Sequence, residues 1–141
     1  MVGYTKDQYV KTQVETADRG RLIVLLYEGA IKFLRKAQEG IEEKNIEKRC
    51  NNIDRALNII DELKNSLNIS QGGEIAIYLI HLYLFMRGHL VSANIKNDSK
   101  MIQDVIKMLT GLKEAWETIV SKPERKEPST QPTPRFTGVQ I

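Results

Sequence analysis

Apolar residues recur every three or four positions from about residue 22 to residue 41. This spacing matches the 3.6-residue period of an α-helix and places the apolar side chains on one face. The residues on this face are Leu22, Leu25, Leu26, Ala30, Phe33, Leu34, Ala37 and Ile41. Asp18 precedes the segment and has a side chain that commonly caps helix amino termini. The pattern therefore predicts an amphipathic helix capped by Asp18.

The same period continues in three further segments. A second helix is predicted from about residue 46 to residue 67, with Asn45 as its N-cap. A third is predicted to start after Gly72 and Gly73 and to end near residue 95, and Asp98 is predicted to cap the fourth. The apolar face of the fourth helix consists of Ile102, Val105, Ile106, Leu109, Leu112 and Trp116. This spacing assigns the Trp116 side chain to the core.

The connections between the predicted helices are only about four to seven residues long, which favours antiparallel neighbours. The predicted fold is therefore all-α, an antiparallel up-down-up-down four-helix bundle over residues 18–120. Residues 1–17 are predicted to form an amino-terminal arm. Residues 121–141 contain all four prolines of the chain and lack the helical period, so they are predicted to form a disordered tail.

The predicted third helix carries more apolar surface than a bundle helix needs, because such a helix buries a face little wider than 100°. The residues opposite its natural core face are Ile77, Ile80, Leu84 and Val91. The second helix shows a milder excess. The residues that widen its apolar face are Ala56, Ile59, Leu63 and Leu67. Some other surface must cover these side chains if the core does not.

Three interpretations of this excess are open. The bundle could be irregular, with the third helix as its most buried member, or the face could be a homodimer interface. It could also be a groove for an amphipathic helix of a partner, anchored at positions i, i+3, i+4 and i+7. The arm bears on the third interpretation, because it is apolar in part and too short to be a stable helix alone. Its apolar residues are Tyr4, Tyr9, Val10 and Val14, which could cover the groove until a partner displaces them.

Charge and hydropathy argue against several classes of protein. The formal net charge is +3, of which the four basic and two acidic residues from position 121 onward supply +2. The predicted bundle is thus nearly neutral, and nucleic-acid binding through phosphate neutralisation loses its main support. The longest nearly apolar run, residues 75–86, has twelve residues and is too short to span a bilayer. We therefore expect a soluble cytoplasmic protein, with neither a nucleic-acid partner nor membrane insertion.

Candidate catalytic and metal-binding residues are few. Cys50 is the single cysteine and occupies an apolar helical position, which predicts a buried, unreactive thiol. Tyr78 and Met86 stand three residues before His81 and His89, so the Glu-x-x-His pairs of a di-iron bundle are missing. The sequence also lacks a Walker-type phosphate loop and a Gly-x-Ser-x-Gly motif. We therefore expect neither an enzyme nor a metal or cofactor site.

Several short motifs occur in a specific order and spacing between about residues 4 and 120. They are Tyr9, Val14, Thr16-Ala17, Leu22-Ile23, Leu26-Tyr27-Glu28-Gly29-Ala30, Phe33-Leu34, Arg55-Ala56, Ile59-Ile60, Gly72-Gly73-Glu74-Ile75-Ala76, Leu82-Tyr83, Met86, Ala93-Asn94, Asn97-Asp98 and Ala115-Trp116. Together they resemble the flagellar secretion chaperone family FliS, which holds flagellin before export. Asp18-Arg19 stand where that family usually has Ser-Pro. Ile77, Ile80 and Leu84 stand where it tends to have polar residues.

The resemblance implies a bundle that binds the carboxy-terminal region of flagellin, prevents premature polymerisation and delivers flagellin to the flagellar type III export apparatus. It also implies a role in the cargo site for Tyr9 and Tyr4 of the arm. The expected partner-binding residues are Tyr4, Tyr9, Val10, Val14, Ile53, Leu57, Ile60, Ile77, Ile80 and Leu84. No nucleotide or other cofactor is expected. The alternative is a homodimerising helical bundle that acts as an interaction module without flagellin cargo.

Overall fold

The computed structural model of the protein describes residues 19–121. This part of the chain forms four α-helices: α1 (Arg19–Glu42), α2 (Ile46–Asn65), α3 (Ile69–Lys96) and α4 (Ser99–Ser121). The predicted arm and the predicted tail beyond Ser121 lie outside the described residues, and so does the predicted cap Asp18. The predicted helices agree with the observed ones to within a few residues, apart from the start of α3.

The four helices close a ring. α1 packs against α2 and α4, and α3 packs against the same two helices from the opposite side. The contacts of α1 are the more extensive, so α3 is the most loosely held helix of the four. Because each connection is short, consecutive helices run antiparallel. The predicted all-α, up-down-up-down bundle is confirmed.

The helix caps explain why the chain turns where it does. Asn45 Oδ1 accepts a hydrogen bond from the backbone N–H of Lys48 at 3.0 Å, which confirms the predicted cap of α2. Asp98 Oδ1 accepts from the N–H groups of Lys100 at 2.9 Å and Met101 at 3.1 Å, which confirms the cap of α4. These bonds satisfy donors that the first helical turn leaves without an intrahelical acceptor.

The start of α3 differs from the prediction. The helix begins at Ile69, capped by Asn68, whose Oδ1 accepts from the N–H of Gln71 at 3.1 Å. Gly73 then interrupts it with a φ of 55°, a conformation that glycine adopts without a steric penalty. The glycine pair therefore marks a kink after one short turn, and the long regular part of α3 starts behind it.

The core is apolar throughout the described residues, with no buried charged side chain among them. Its largest fully buried side chains, apart from two tyrosines, are Leu34, Ile53, Ile60, Leu63, Met86, Leu90, Ile102, Val105, Ile106 and Leu109. Trp116 is also buried, as its spacing predicted. Burying side chains of this size stabilises a fold by about 1.5–3 kcal/mol each, so packing dominates the stability of the bundle.

Two buried hydroxyl groups meet inside this core. Tyr27 of α1 and Tyr83 of α3 are almost completely buried, and their hydroxyl oxygens lie 2.5 Å apart in a hydrogen bond. Burial raises the pKa of Tyr83 far above its ordinary value, and the adjacent Tyr27 adds to the effect. Burial also raises the pKa of Tyr27, although hydrogen bonds to Tyr83 and Trp116 oppose this shift. Both hydroxyls therefore stay protonated, and the pair ties α1 to α3 across the bundle.

A polar cluster fixes α2 to the end of α3. Arg49 donates from Nε to Asn94 Oδ1 at 2.7 Å and from Nη1 to Asn97 Oδ1 at 2.8 Å. The Cys50 thiol lies 3.6 Å from Asn94 Oδ1. Cys50 is half-buried, so the predicted burial of its thiol was wrong, because the end of α3 presents the Asn94 amide there instead of an apolar side chain.

Candidate functional site

The outward side of α3 carries an exposed row of apolar residues. Ile77, Leu84 and Val91 follow one another at seven-residue intervals and are 45%, 46% and 43% exposed, and Ile95 continues the row. Residues seven apart lie on nearly the same face of an α-helix. We call Ile77, Ile80, Leu84, Val91 and Ile95 the apolar row. Ile80 is half-buried at its edge.

The apolar row lies on the side of α3 that faces α2. Arg87, between Leu84 and Val91, reaches across to Asp61 of α2 and places Nη1 3.1 Å from both carboxylate oxygens. The two partners are both partly exposed, so this ion pair contributes little to the free energy of unfolding. The contact does show that Asp61 of α2 lies beside the part of the row between Leu84 and Val91.

A second set of exposed apolar side chains lies on the side of α3 that faces α4. Tyr78 and Phe85 are each more than half exposed. The Phe85 ring stacks on His89 with centroids 5.1 Å apart, and His89 Nε2 lies 3.1 Å from Asp104 Oδ2 of α4. α3 thus exposes apolar side chains on both flanks of its outer face, and only its inner face belongs to the core.

The predicted site residues of α3 are available at the surface. Ile77 and Leu84 are exposed and Ile80 is half-buried, and all three belong to the apolar row. The interpretation that α3 is simply the most buried helix is therefore wrong for Ile77 and Leu84. Whether these residues bind a partner stays a prediction. The arm residues Tyr4, Tyr9, Val10 and Val14 lie outside the described residues.

The predicted site residues of α2 occupy a different place. Ile53, Leu57 and Ile60 are buried members of the core, and each is at most 9% exposed. They are not surface residues in this conformation, because α2 turns this face toward the bundle axis. The apolar face of α2 is wide because it is turned toward the core, where Ala56 and Leu63 are also buried. The excess apolar surface of the described bundle therefore belongs mainly to α3.

Sequence reasoning missed Tyr78, Phe85 and Ile95 as exposed apolar residues. The signal was present in the helical period, since Tyr78 and Phe85 are seven residues apart and Ile95 follows Val91 by one turn. Aromatic residues at helical spacing are usually core residues, so the sequence alone would assign Tyr78 and Phe85 to the core. Only the packing of α3 between α2 and α4 distinguishes the two cases.

The opposite side of the bundle, between α1 and α4, is charged. A shallow groove there is lined by Lys32, Arg35, Lys36, Lys113, Glu28 and Glu39, among others. Lys113 pairs with Glu28 at 3.8 Å and Glu117 at 3.4 Å, and Lys48 pairs with Glu39 at 3.2 Å. Within residues 19–121, no group of three or more His, Cys, Asp or Glu residues is placed to hold a metal ion.

By length and composition alone, α3 could cross a membrane. The helix has 28 residues, so it is longer than the apolar run of twelve that its sequence shows. The core helix of a soluble protein meets the same criteria. A single helix of this kind is weak evidence for a membrane span, and the inner face of α3 is buried against the other helices. Its buried residues behind the kink are Ala76, Leu79, Tyr83, Met86, Leu90 and Ala93.

A comparison with protein-family models shows to which family this bundle belongs. The family model described as flagellar protein FliS matches residues 3–123. The chain belongs to the FliS family. The match spans all four helices, and with them the motifs on which the resemblance was based.

Relatives within the FliS family are similar over most of their length. The chain is 37% identical over 119 residues to the flagellar secretion chaperone FliS of Bacillus subtilis strain 168, a match that covers 84% of this chain and 87% of that protein. It is 35% identical over 119 residues to the protein of the same name from Salmonella typhimurium, covering 84% and 88%. The Vibrio cholerae relative is 34% identical over 110 residues, covering 78% and 81%. These relatives carry the name of a chaperone and not of an enzyme.

Proposed function

We propose that this FliS family member is a flagellar export chaperone that binds the carboxy-terminal amphipathic segment of flagellin. Binding would keep flagellin from polymerising early and present it to the flagellar type III export apparatus. The observation that carries the proposal is the exposed apolar row on α3 in a chain that belongs to the FliS family. The protein would work in the cytoplasm, without a cofactor and without inserting into a membrane.

The row suits an amphipathic helical segment. Ile77, Leu84 and Val91 repeat at seven-residue intervals on one face, so they form a strip along which the apolar face of a bound helix could lie. Each of these side chains is a little less than half exposed, so covering it would contribute about 1 kcal/mol. A disordered segment that folds on binding loses a few kcal/mol to ordering, so several such contacts are needed together. The result is a complex that forms specifically and still releases its cargo.

The remaining predicted residues have two roles in this proposal. Tyr4, Tyr9, Val10 and Val14 of the arm would contact the cargo or cover its site in the free protein. Ile53, Leu57 and Ile60 would support the site from the core, because their burial leaves them no exposed surface of their own.

Calorimetry with the carboxy-terminal region of flagellin tests the proposal. The full chain should bind it with a large negative heat-capacity change, because apolar surface is buried as the segment folds. Leu84→Asp should weaken binding and keep the helical circular dichroism, since this side chain is 46% exposed. Leu25→Asp on α1, where leucine is 57% exposed, is the matched control and should bind normally. A flat titration of the unaltered chain at tens of micromolar would contradict the proposal.

A homodimer is the competing use of the same surface, because residues seven apart on a helix also suit a second copy of the chain. Light scattering over a range of concentrations distinguishes the two. A constant monomer mass supports the chaperone. A dimer that Leu84→Asp dissociates, together with no flagellin binding, would make the row a dimer contact instead.

A further inference from the structure

The apolar row on α3 contains a gap at Gly88. This residue is exposed, and apart from its two chain neighbours and the backbone of its own helix, no described atom lies within 4 Å of the position that a Cβ would occupy there. Its φ is not positive, so neither a close approach nor the backbone conformation requires glycine. Glycine nevertheless lowers helix propensity at an interior helical position. The fold alone therefore gives no reason for glycine at this position.

The neighbours of Gly88 turn this gap into a notch. Leu84 is four residues before it and Val91 three residues after it, so all three lie on one face of α3. Both neighbours are a little less than half exposed. A bulky apolar side chain from a partner could enter between them and contact the helix backbone. Gly111 of α4 is equally open, but it has Lys107 and Glu114 at the corresponding positions and forms no such notch.

A carboxylate, that of Asp54, stands beside this notch on α2. Asp61 meets Arg87, and Cys50 meets Asn94, so the antiparallel helices bring Asp54 level with Val91. Asp54 is exposed and stands seven residues before Asp61 on the same face. Asp61 is neutralised by Arg87, whereas Asp54 forms no ion pair within the described residues. The rim of the notch on the α2 side is therefore negatively charged.

We propose that the notch at Gly88 is the anchor point of the cargo site and that its occupant is an amphipathic helix of defined chemistry. This helix places one bulky apolar side chain over Gly88 and a basic side chain over Asp54. The inference rests on the proposed function and adds to it which feature of the cargo is recognised. It predicts that the protein prefers to bind helices that carry positive charge on one flank.

Filling the notch tests the anchor. Gly88→Leu and its control Gly111→Leu both replace an open helical glycine, so both variants should melt at or above the temperature of the unaltered chain. Only Gly88→Leu should weaken binding of the flagellin carboxy-terminal region, by about tenfold or more. Equal binding by both variants would overturn the anchor while leaving the chaperone function intact.

Reversing the charge of Asp54 tests whether the rim of the notch recognises basic side chains of the cargo. Asp54→Lys should lower affinity for the flagellin region by about threefold to tenfold at low salt, and the difference should shrink at high salt. Glu62→Lys makes the same change of charge on a part of α2 that faces away from the row, and should bind normally. If both variants lose affinity equally, the effect is one of net charge and the proposed rim is wrong.

Two synthetic amphipathic helices distinguish a failure of the charge selection from a failure of the proposed function. Both carry leucine at seven-residue intervals on one face, and they differ only in lysine or glutamate along one flank. The lysine peptide should bind the full chain and the glutamate peptide should not. Equal binding of both would refute the charge selection and leave the apolar site standing. Binding of flagellin but of neither peptide would refute the proposed helical recognition, and loss of flagellin binding as well would refute the function itself.

Discussion

Removing one hydroxyl of the tyrosine pair should cost more at Tyr27 than at Tyr83. The only hydrogen-bond partner of the Tyr83 hydroxyl within the described residues is Tyr27. Tyr27→Phe therefore leaves a buried hydroxyl without a partner, which costs about 1–3 kcal/mol. Tyr83→Phe leaves Tyr27 with its interaction with Trp116, so this change should cost only about 0.5–1.5 kcal/mol.

The double variant gives the sharper result. Replacing both hydroxyls removes the orphaned group together with its partner, so the total cost should be smaller than the sum of the two single costs. We expect a coupling of about 1 kcal/mol between the two sites. Urea unfolding followed by helical circular dichroism, with Trp116 fluorescence as a second probe, measures all three variants. Two single variants of equal cost, or a double variant equal to their sum, would refute the account of the buried pair.

Four further predictions follow from the same structure. The free energy of unfolding should fall as pH rises above about 10, because the pKa values of Tyr27 and Tyr83 are raised in the folded chain, so that near this pH the two tyrosines ionise only when unfolded. Urea titrations at about pH 8 to 11 measure this, and the double variant with Tyr27→Phe and Tyr83→Phe should lose this part of the pH dependence. Ile53→Asp should unfold the chain whereas Ile77→Asp should keep its circular dichroism, since one side chain is buried and the other exposed. Asp98→Ala should cost about 1 kcal/mol through the lost cap, and Asp98→Asn should restore most of it, as measured by urea midpoints. Leu90→Ala should cost about 2–5 kcal/mol, and a value below about 1 kcal/mol would show that Leu90 is not packed as described.

The helices were predictable because their signals are local. The apolar period and the caps Asn45 and Asp98 depend on residues within one or two turns, and both caps are confirmed. The kink at Gly73 was not predicted, because the residues before it form a short turn that Asn68 caps. A glycine pair between helices indicates a break, but it does not say on which side of the break the helical turn continues.

The division between core and surface was predicted only in part. α2 and α3 both showed a wide apolar face, yet α2 buries its excess against its neighbours, whereas α3 exposes Ile77 and Leu84. The difference depends on how closely each helix packs on the others, and no local pattern contains that information. The Tyr27–Tyr83 pair was out of reach for the same reason, because its members are 56 residues apart in the chain.

The exposed row lies where a fifth helix would pack. The inner face of α3 is already buried, with Leu79, Met86 and Leu90 in the core. A helix in a ring of four cannot bury a second face, so the described helices leave the row on the α2 side uncovered, and the arm or a partner chain must cover it to remove it from water. The ion pair between Arg87 and Asp61 shows that α2 lies beside this row, so a covering helix would contact both α2 and α3. A partner helix would fit there by the same packing of ridges into grooves that joins the four described helices, and this requires no rearrangement of the core.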